Sequence, residues 1–302
     1  MRKWLFPFFF LFLALPLVSR SEFSYTDVQG RSLILEEAPQ RVVSLYGSFA
    51  ETWLLAGGKL AGATEDAVSE RGLPLGDDVQ IVGTVKEPNL EAVLALDPDF
   101  VILSADIAAQ APAAELLTQL GIPCSAFRVD TFEDYLSMLR FFCDLTGRDD
   151  LYAQNGETVA VQIEAVRSAV SAQPAASVLL LRAYGSGVKA KGNDNIAGVM
   201  LADLGADNIV SRHDSLLEDL SLEAIVAEDP EFIFITIMGA DEEAALSFID
   251  ARFGQDPAWQ GLKAVREGRL VVLPKDLFHY KPNARWGESY AYLAKILYPQ
   301  CF

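Results

Sequence analysis

Residues 89–103 read NLEAVLALDPDFVIL, and residues 221–235 read SLEAIVAEDPEFIFI. The two stretches share Leu, Glu, Ala, Ala, Asp, Pro and Phe at equivalent places, and they lie 132 positions apart. Solenoid repeats have much shorter periods, of about 20–50 residues. The duplication therefore predicts two related lobes, and the space between them is the first place to look for function.

Each copy of the repeat predicts a helix, a turn and a buried strand. Asn89 and Ser221 are good N-cap residues, because a short side-chain oxygen accepts from the free N–H groups of the first turn. The Asp-Pro pair that follows in each copy ends the helix, since the residue before proline is pushed out of the α region. Residues 100–103 and 232–235 are continuous apolar runs, which are typical of parallel strands buried on both faces.

The first 21 residues have the pattern of a secretory signal. Arg2 and Lys3 precede 15 apolar residues, 4–18, and small residues follow at a plausible cleavage point. A membrane-spanning helix needs about 20 residues, so a cleaved signal is favoured over an uncleaved anchor. We therefore expect the protein to be exported across the inner membrane, to a periplasmic or extracellular location.

Charge and cysteine content restrict the partners and the chemistry. The net charge of −18 argues against nucleic acid and anionic membranes as partners. The cysteines, Cys124, Cys143 and Cys301, lack the spacing of a metal site. Cys124 and Cys143 are either paired in an oxidising compartment or buried as small apolar residues, and the sequence leaves both readings open.

Strand and helix patterns alternate through both halves of the chain. Residues 23–35 predict a hairpin that turns at Gln29-Gly30, and Ser48 and Glu51 have the spacing of a capping box. Residues 149–172 predict one long helix between the halves. The expected fold class is α/β, with two lobes, each a mainly parallel sheet flanked by helices, joined by one long helix. The expected segments are a signal peptide (1–21), an N-terminal lobe (22–147), a connecting helix (148–173) and a C-terminal lobe (174–302).

Basic and aromatic residues are placed near the predicted carboxyl ends of the strands, where α/β sheets collect their ligands. Such side chains suit a small anionic or metal-chelate ligand, although exposed charge and core packing are ordinary alternative roles for them. The candidate ligand-binding residues are Tyr46, Lys86, Arg128, Arg182, Tyr184, Met238, His279, Tyr280, Arg285 and Trp286.

The stretches RVVSLYGSFAETWLLAGG (41–58) and VGTVKEPNLEAVLALDPDFVIL (82–103), followed by the long mid-chain helix, resemble substrate-binding proteins of ABC importers. The similar class binds iron–siderophores, haem and cobalamin, and the resemblance covers residues 25–298. It implies a monomer that delivers its ligand to an ABC permease dimer with its ATPase subunits. It also implies that Glu91 and Glu223 dock onto the permease. From the residues alone, stabilisation of the two helix N-termini is the alternative role.

The identity of the ligand stays open between several iron and cobalt compounds. Only His213 and His279 are present, so a bare zinc or manganese ion is disfavoured and we expect no protein-bound metal or resident cofactor. An iron complex of siderophore type is favoured over haem and cobalamin. The chain carries no G-x-S-x-G, Walker or H-E-x-x-H motif, so we expect no enzyme activity. A chelatase-type two-lobed enzyme and a sensing role remain alternatives.

Overall fold

Two parallel sheets, one in each half of the chain, organise the fold. The structure is a computed structural model that describes residues 22–28, 30–213, 215–218, 220–239 and 241–302. The strands in these ranges are β1 (Phe23–Thr26), β2 (Ser32–Leu35), β3 (Val42–Ser44), β4 (Leu60–Ala63), β5 (Gln80–Ile81), β6 (Phe100–Ser104), β7 (Cys124–Phe127), β8 (Ser177–Tyr184), β9 (Gly187–Ala190), β10 (Asp207–Asn208), β11 (Phe232–Ile237) and β12 (Leu270–Val272).

Helices flank both sheets. They are α1 (Gly47–Leu55), α2 (Asp66–Ser69), α3 (Leu90–Ala95), α4 (Ala111–Gln119), α5 (Phe132–Thr146), α6 (Asp149–Tyr152), α7 (Thr158–Val170), α8 (Ile196–Asp203), α9 (Ser215–Glu218), α10 (Leu222–Glu228), α11 (Glu242–Ile249), α12 (Pro257–Gly261), α13 (Lys263–Arg266), α14 (Lys275–Phe278) and α15 (Trp286–Leu297). Short 3₁₀ turns cover Ala108–Gln110, Ile209–Arg212, Asn283–Arg285 and Pro299–Cys301. The fold class expected from the sequence is confirmed.

The order of the strands fixes where each sheet opens. The first sheet runs β5-β4-β3-β6-β7 with every pair parallel, so the direction of winding reverses between β3 and β6. The second runs β10-β8-β11-β12, and its reversal lies between β8 and β11. In open α/β sheets the crevice at such a switch point is the usual ligand site. The candidate residues Tyr46 and Arg182 lie close to these two crevices, because β3 ends just before Tyr46 and Arg182 lies in β8.

The second sheet departs from the expectation at one edge. Arg182 and Tyr184 were expected after the strand, but they lie within β8, which continues to Tyr184. The chain then turns at Gly185-Ser186, and β9 runs back antiparallel to β8. The reason is that Gly185-Ser186 forms the tight turn of a hairpin, which extends β8 beyond the end that the sequence predicts.

The repeated helix and strand are present in both halves. Asn89 accepts a hydrogen bond from the Ala92 N–H at 3.1 Å, and Ser221 accepts one from the Ala224 N–H at 3.3 Å. Both copies end their helix on an aspartate in the left-handed region, Asp97 at φ 47° and Asp229 at φ 40°. Both predicted N-caps are confirmed.

The capping box expected at Ser48 and Glu51 is wrong. The helix begins two residues earlier than that pattern requires, with Tyr46 as the N-cap, so Ser48 lies inside the first turn. The free N–H of Gly47 donates instead to the Asp66 carboxylate at 2.7 Å. A Cβ at position 47 would lie 2.6 Å from the main-chain nitrogen of Ala67, so glycine permits this close approach of α1 and α2.

A helical connector runs from α6 to α7, and one π turn, Ala153–Glu157, interrupts it. Asn155 Nδ2 donates to the Leu55 carbonyl oxygen at 2.9 Å, and Tyr135 Oη donates to the Asn155 carbonyl oxygen at 3.0 Å. A π turn leaves carbonyl groups without their usual helical donor, and the Tyr135 hydroxyl supplies a donor to one of them. The two bonds together attach the turn to the first lobe. The exact segment boundaries expected from the sequence stay a prediction.

One continuous apolar core follows the connector and reaches both sheets. It includes Phe100 and Phe127 of the first sheet, Val159 and Ile163 of α7, and Phe234 of the second sheet. The opposite face of each sheet has a core of its own. The lobes are therefore joined along α7 and α15, away from the strand ends.

A short hairpin precedes the first parallel sheet. β1 and β2 form the expected hairpin, although Gln29 of its predicted turn and the predicted signal segment, 1–21, lie outside the described residues. None of the helices in the described ranges combines the length and apolar character needed to cross a bilayer. The three cysteines are free thiols, with Cys143 buried and Cys124 half-buried.

Candidate functional site

The segment after α14 crosses from the second half of the chain to the strand ends of the first sheet. Lys281 Nζ donates to the Val129 carbonyl oxygen at 2.5 Å and to Asp106 Oδ2 at 3.2 Å, and it lies 3.6 Å from Asp130 Oδ1. Its side chain is only 9% exposed. This buried ammonium therefore fixes the segment against the carboxyl ends of β6 and β7.

Asn283 makes a second attachment of the same segment. It is fully buried and left-handed, with φ at 54°. Its Nδ2 donates to the Ser48 carbonyl oxygen and to Glu51 Oε2, both at 2.8 Å, and its Oδ1 accepts from Thr52 Oγ1 at 3.1 Å. The segment that carries His279 and Tyr280 is thus held on α1, the helix that begins beside Tyr46.

Gln110 ties three strand ends of the first lobe together. Its Nε2 donates to the carbonyl oxygens of Leu45 at 2.6 Å and Val85 at 3.0 Å, and its Oε1 accepts from the Ser104 N–H at 2.9 Å. The side chain is 1% exposed, so these bonds are shielded from water. Sequence reasoning missed this residue, because a single glutamine in the apolar stretch AAQAPAA carries no signal of its role.

Two tyrosines from distant parts of the chain meet at this edge. Tyr46 and Tyr280 lie close enough to influence each other electrostatically, and the Arg71 guanidinium lies 5.8 Å from the centre of the Tyr280 ring. Burial raises the pKa of each phenol to about 12. The Glu70 carboxylate, a hydrogen-bond partner of Tyr280, adds to the rise there. Both rings are therefore neutral phenols at physiological pH, and they offer apolar faces with one polar tip.

His279 lies beside Tyr280, with 4.9 Å between the ring centres. Burial, together with the charges of Arg182, Lys275 and Lys281, lowers its pKa to about 4. The imidazole is neutral at physiological pH. The buried Arg182 Nε has no hydrogen-bond partner in the described part of the chain, which is unusual for a shielded N–H group.

A compact ion cluster completes the first-lobe side. Asp106 Oδ1 accepts from Arg128 Nε at 2.8 Å while its Oδ2 accepts from Lys281. Burial raises the pKa of Asp130 and the neighbouring Lys281 opposes that rise. Arg128 keeps about half of its side chain exposed, so its Nη groups remain accessible to a ligand.

The structure brings together part of the set chosen from the sequence. The tyrosine pair, the surroundings of His279 and the ion cluster described above include five of the ten candidate residues: Tyr46, Arg128, Arg182, His279 and Tyr280. Lys86 is exposed in the loop after β5, and Tyr184 and Met238 are half-buried at the ends of β8 and β11. These three lie at strand ends but make no contact that ties them to the tyrosine and histidine groups among the described residues.

Two residues of the predicted set are placed where a ligand cannot readily reach them. Trp286 is fully buried, with its ring centre 5.9 Å from that of Phe132, so its side chain belongs to the core. Arg285 forms ion pairs with Asp276 at 2.6 Å and with Glu288 at 2.7 Å. The sequence favours both as cleft residues because they follow His279 closely, but the 3₁₀ turn at Asn283–Arg285 ends there and Trp286 begins α15, whose buried face packs in the core.

Glu91 and Glu223 occupy equivalent places on the outer surface. Each is exposed in the first turn of its helix, α3 or α10, where the helix dipole favours a negative charge. Their equivalence follows from the repeat.

Two other cavities lie away from the strand ends of the first sheet. One of about 330 Å³ lies between α7 and the end of α8, and one of about 180 Å³ lies beside β9 and α9. Among the described residues, no group of three or more His, Cys, Asp or Glu side chains is placed to hold a metal ion.

Known proteins are similar to this chain in sequence and in architecture. The model of a family described as periplasmic binding protein matches residues 42–277. The Fe(3+) dicitrate-binding periplasmic protein FecB of Escherichia coli is 27% identical over 277 residues, which cover 87% of this chain and 86% of the relative. A cobalamin-binding protein of Halobacterium salinarum is 28% identical over 222 residues, which cover 71% of this chain and 58% of the relative.

A solved structure shows the same fold at lower sequence identity. S. aureus IsdE, crystallised with heme, superposes with a TM-score of 0.70 at 18% identity and covers 85% of this chain and 98% of its own. The family match spans most of the chain and confirms the resemblance stated from its sequence. This chain belongs to the periplasmic binding protein family.

Proposed function

We propose that this protein is the solute-binding component of an ABC import system, and that it captures an iron complex of siderophore type between its lobes. It then delivers the complex to a membrane permease dimer with its ATPase subunits, on the periplasmic or extracellular side of the membrane. Two relatives support this assignment: FecB, by its name, binds a ferric citrate complex, and a protein of Bacillus subtilis at 23% identity is named an Fe(3+)-citrate-binding protein.

The observation that carries the proposal is the meeting of Tyr46, Tyr280, His279 and Arg182 near the switch points of the two sheets. A ferric siderophore already saturates the metal with its own oxygen atoms, so it needs no protein ligand. It needs aromatic surface for its organic body and N–H donors for its oxygen atoms. The two neutral phenols supply the first, and the half-exposed guanidinium of Arg128 supplies the second.

Delivery rests on the two exposed glutamates. Glu91 and Glu223 lie on α3 and α10, helices that the repeat relates to each other. A permease dimer presents two equivalent surfaces, and a pair of equivalent carboxylates fits two equivalent sets of basic side chains. This docking role is proposed on the family resemblance together with the exposure of both residues.

Haem is the second candidate, and His279 is the observation that favours it. Iron binds the neutral form of imidazole, and a pKa of about 4 keeps His279 in that form at pH 7. Cobalamin remains a further alternative, supported by the relative from Halobacterium salinarum.

The test is to identify what the protein binds. The absorption spectrum and mass of any compound that copurifies are measured first, and the ligand-free protein is then titrated with ferric siderophores, haem and cobalamin. We expect tight binding of a ferric siderophore and weaker binding of the other two. A Soret band that His279→Ala removes would establish haem instead. Turnover of a porphyrin with free metal would establish a chelatase, and failure to bind any of the compounds would refute the proposal.

A further inference from the structure

Most of the basic side chains at the first-lobe strand ends are already neutralised. Asp106 bridges Arg128 and Lys281, with contacts of 2.8 and 3.2 Å. Asp130 lies 3.6 Å from the same Lys281 ammonium. These four groups carry two positive and two negative charges, so the cluster as a whole has no net charge. It is not the open cationic surface that the sequence indicates when the basic residues are considered alone.

The neighbouring arginines follow the same pattern. Arg71 has only 6% of its side chain exposed and is paired with Glu51, and Arg285 is paired with both Asp276 and Glu288. Arg182 differs, because its buried Nε has no hydrogen-bond partner among the described residues. Of Arg71, Arg182 and Arg285, Arg182 is thus the one without a carboxylate partner among the described residues, and it adds a single positive charge to the charge-balanced cluster of the first lobe.

We propose that Asp106 sets the charge preference of the cleft, so that the bound iron complex carries little or no net negative charge. This inference rests on the proposed function. A multiply anionic complex near Arg128 also lies near Asp106 and Asp130, and the repulsion from these carboxylates cancels much of the attraction. A neutral ferric trihydroxamate meets no such repulsion. Its carbonyl-type oxygen atoms can still accept from Arg182 and Arg128.

Asp106 also fixes how Arg128 is presented. A guanidinium has five N–H donors in a rigid plane, and Asp106 uses the one at Nε. The remaining donors at Nη1 and Nη2 have no partner among the described residues, and the side chain is 49% exposed. Asp106 therefore acts as a positioning residue that leaves the outer edge of Arg128 for neutral oxygen acceptors.

The experiment measures ligand affinity by quenching of tryptophan fluorescence in the purified protein. The probes are a neutral ferric trihydroxamate, a trianionic ferric tricatecholate and ferric citrate. We expect the wild-type protein to bind the trihydroxamate at least about tenfold more tightly than the tricatecholate. Asp106→Asn should tighten tricatecholate binding roughly tenfold, because one repelling charge is removed, and should change trihydroxamate binding by less than about twofold.

Asp150→Asn is the matched control. Asp150 lies in α6 and forms an ion pair with Arg148 at 2.6 Å. The variant therefore makes the same charge change in another Asp–Arg ion pair, one that is not at the strand ends. It should leave all three affinities unchanged. If Asp106→Asn does not fold, Asp130→Asn removes the second carboxylate near Lys281 and must shift the preference in the same direction.

Two results overturn the inference while the proposed function stands. One is a wild-type protein that prefers the tricatecholate or ferric citrate to the trihydroxamate. The other is a set of carboxylate variants that change the affinities for neutral and anionic complexes by the same factor, because a purely structural role has that effect. If none of the iron complexes binds, it is the proposed function that fails.

Discussion

Asn283 and Ser48 are 235 positions apart in the sequence, yet Asn283 Nδ2 donates to the Ser48 carbonyl oxygen at 2.8 Å. The bond joins the C-terminal segment to α1, the helix whose N-cap is Tyr46. The same segment carries His279 and Tyr280. The relative placement of Tyr46 and Tyr280 therefore depends on residues from opposite ends of the chain, and this hydrogen bond fixes the position of one relative to the other.

Removing the Asn283 amide should destabilise the protein strongly. Asn283→Ala removes three buried hydrogen bonds and leaves the Ser48 carbonyl and the Glu51 carboxylate without this partner. We expect the free energy of unfolding in urea to fall by about 2–4 kcal/mol. The control is Gln173→Ala, which removes a surface hydrogen bond to Gln300 of 2.8 Å and should cost at most about 0.5 kcal/mol. Equal losses in the two variants would contradict a structural role for Asn283.

The two repeated aspartates allow a test of backbone strain. The backbones of Asp97 and Asp229 are left-handed. That conformation costs an ordinary L-residue about 1–2 kcal/mol of free energy but costs glycine little. Glycine and alanine substitutions both remove the side chain, so the difference between them reports on the backbone. We expect the glycine variant to be about 1 kcal/mol more stable than the alanine variant at each position, measured by urea unfolding.

The order of the two variants should reverse where the backbone is right-handed. Asp150 lies within α6, and there the alanine variant should be more stable than the glycine variant by up to about 1 kcal/mol. If alanine also proved the better residue at 97 and 229, the left-handed conformation of these aspartates would be wrong.

His279 should make the stability of the protein depend on pH. The unfolded imidazole takes up a proton near its ordinary pKa of 6.5, whereas the folded one does so only near 4. Between these values the unfolded state binds more protons, so the free energy of unfolding falls as the pH falls from about 6.5 to 4, by about 3 kcal/mol in all. Below pH 4 this contribution does not change further.

The measurement is urea unfolding at several pH values across that range. His279→Gln should lose this component of the pH dependence. The control is His213→Gln, which should keep it, because His213 contacts Glu228 at 2.7 Å and is not part of the buried group. A pH profile that is the same in wild type and His279→Gln would show that the imidazole titrates normally.

Reversing the charge of both docking residues should separate transport from binding. Glu91→Lys combined with Glu223→Lys is expected to abolish uptake of the iron complex into cells, because in the proposed docking two carboxylates that face basic permease side chains become cations. Ligand affinity should stay within about twofold, since both residues are exposed on helices outside the strand-end groups. Uptake of labelled iron and binding by the purified variant are measured in parallel.

A second double variant controls for the change in net charge. Glu115→Lys with Glu242→Lys alters one exposed glutamate in each half, on α4 and α11, and should leave uptake intact. Normal uptake by the Glu91 and Glu223 variant would remove the docking role.

The sequence predicts the elements of this fold better than their arrangement. Asn89, Ser221 and the two Asp-Pro pairs define the repeated unit through local physics, since caps and proline act within a few residues of themselves. The strand order does not follow from local physics. Nothing near residue 42 indicates that β3 pairs with both β4 and β6, so the switch point that locates the cleft becomes visible only in three dimensions.

The candidate site shows the same difference between what local sequence signals predict and what depends on three-dimensional packing. Tyr46 and His279 follow or approach strand ends, so a rule about sheet edges finds them. Trp286 satisfied the same rule, but its burial depends on packing against Phe132, far away in the sequence. The ion pair of Arg128 with Asp106 likewise joins two loops. The sequence does not show this pairing, so it predicts a more cationic cleft than the folded protein has.

The π turn at Ala153–Glu157 has a consequence for how the length of the connector can change. A π turn holds more residues than an α turn, and each helical residue rotates the chain by about 100°. Because the π turn absorbs one extra residue, deleting one residue there would restore α winding and leave the face of α7 that carries Val159 and Ile163 turned toward the shared core. A deletion within α7 itself has no widened turn to absorb it and would rotate every following side chain of the helix by about 100°. The π turn is therefore a place where the connector can lose a residue without rotating the second lobe.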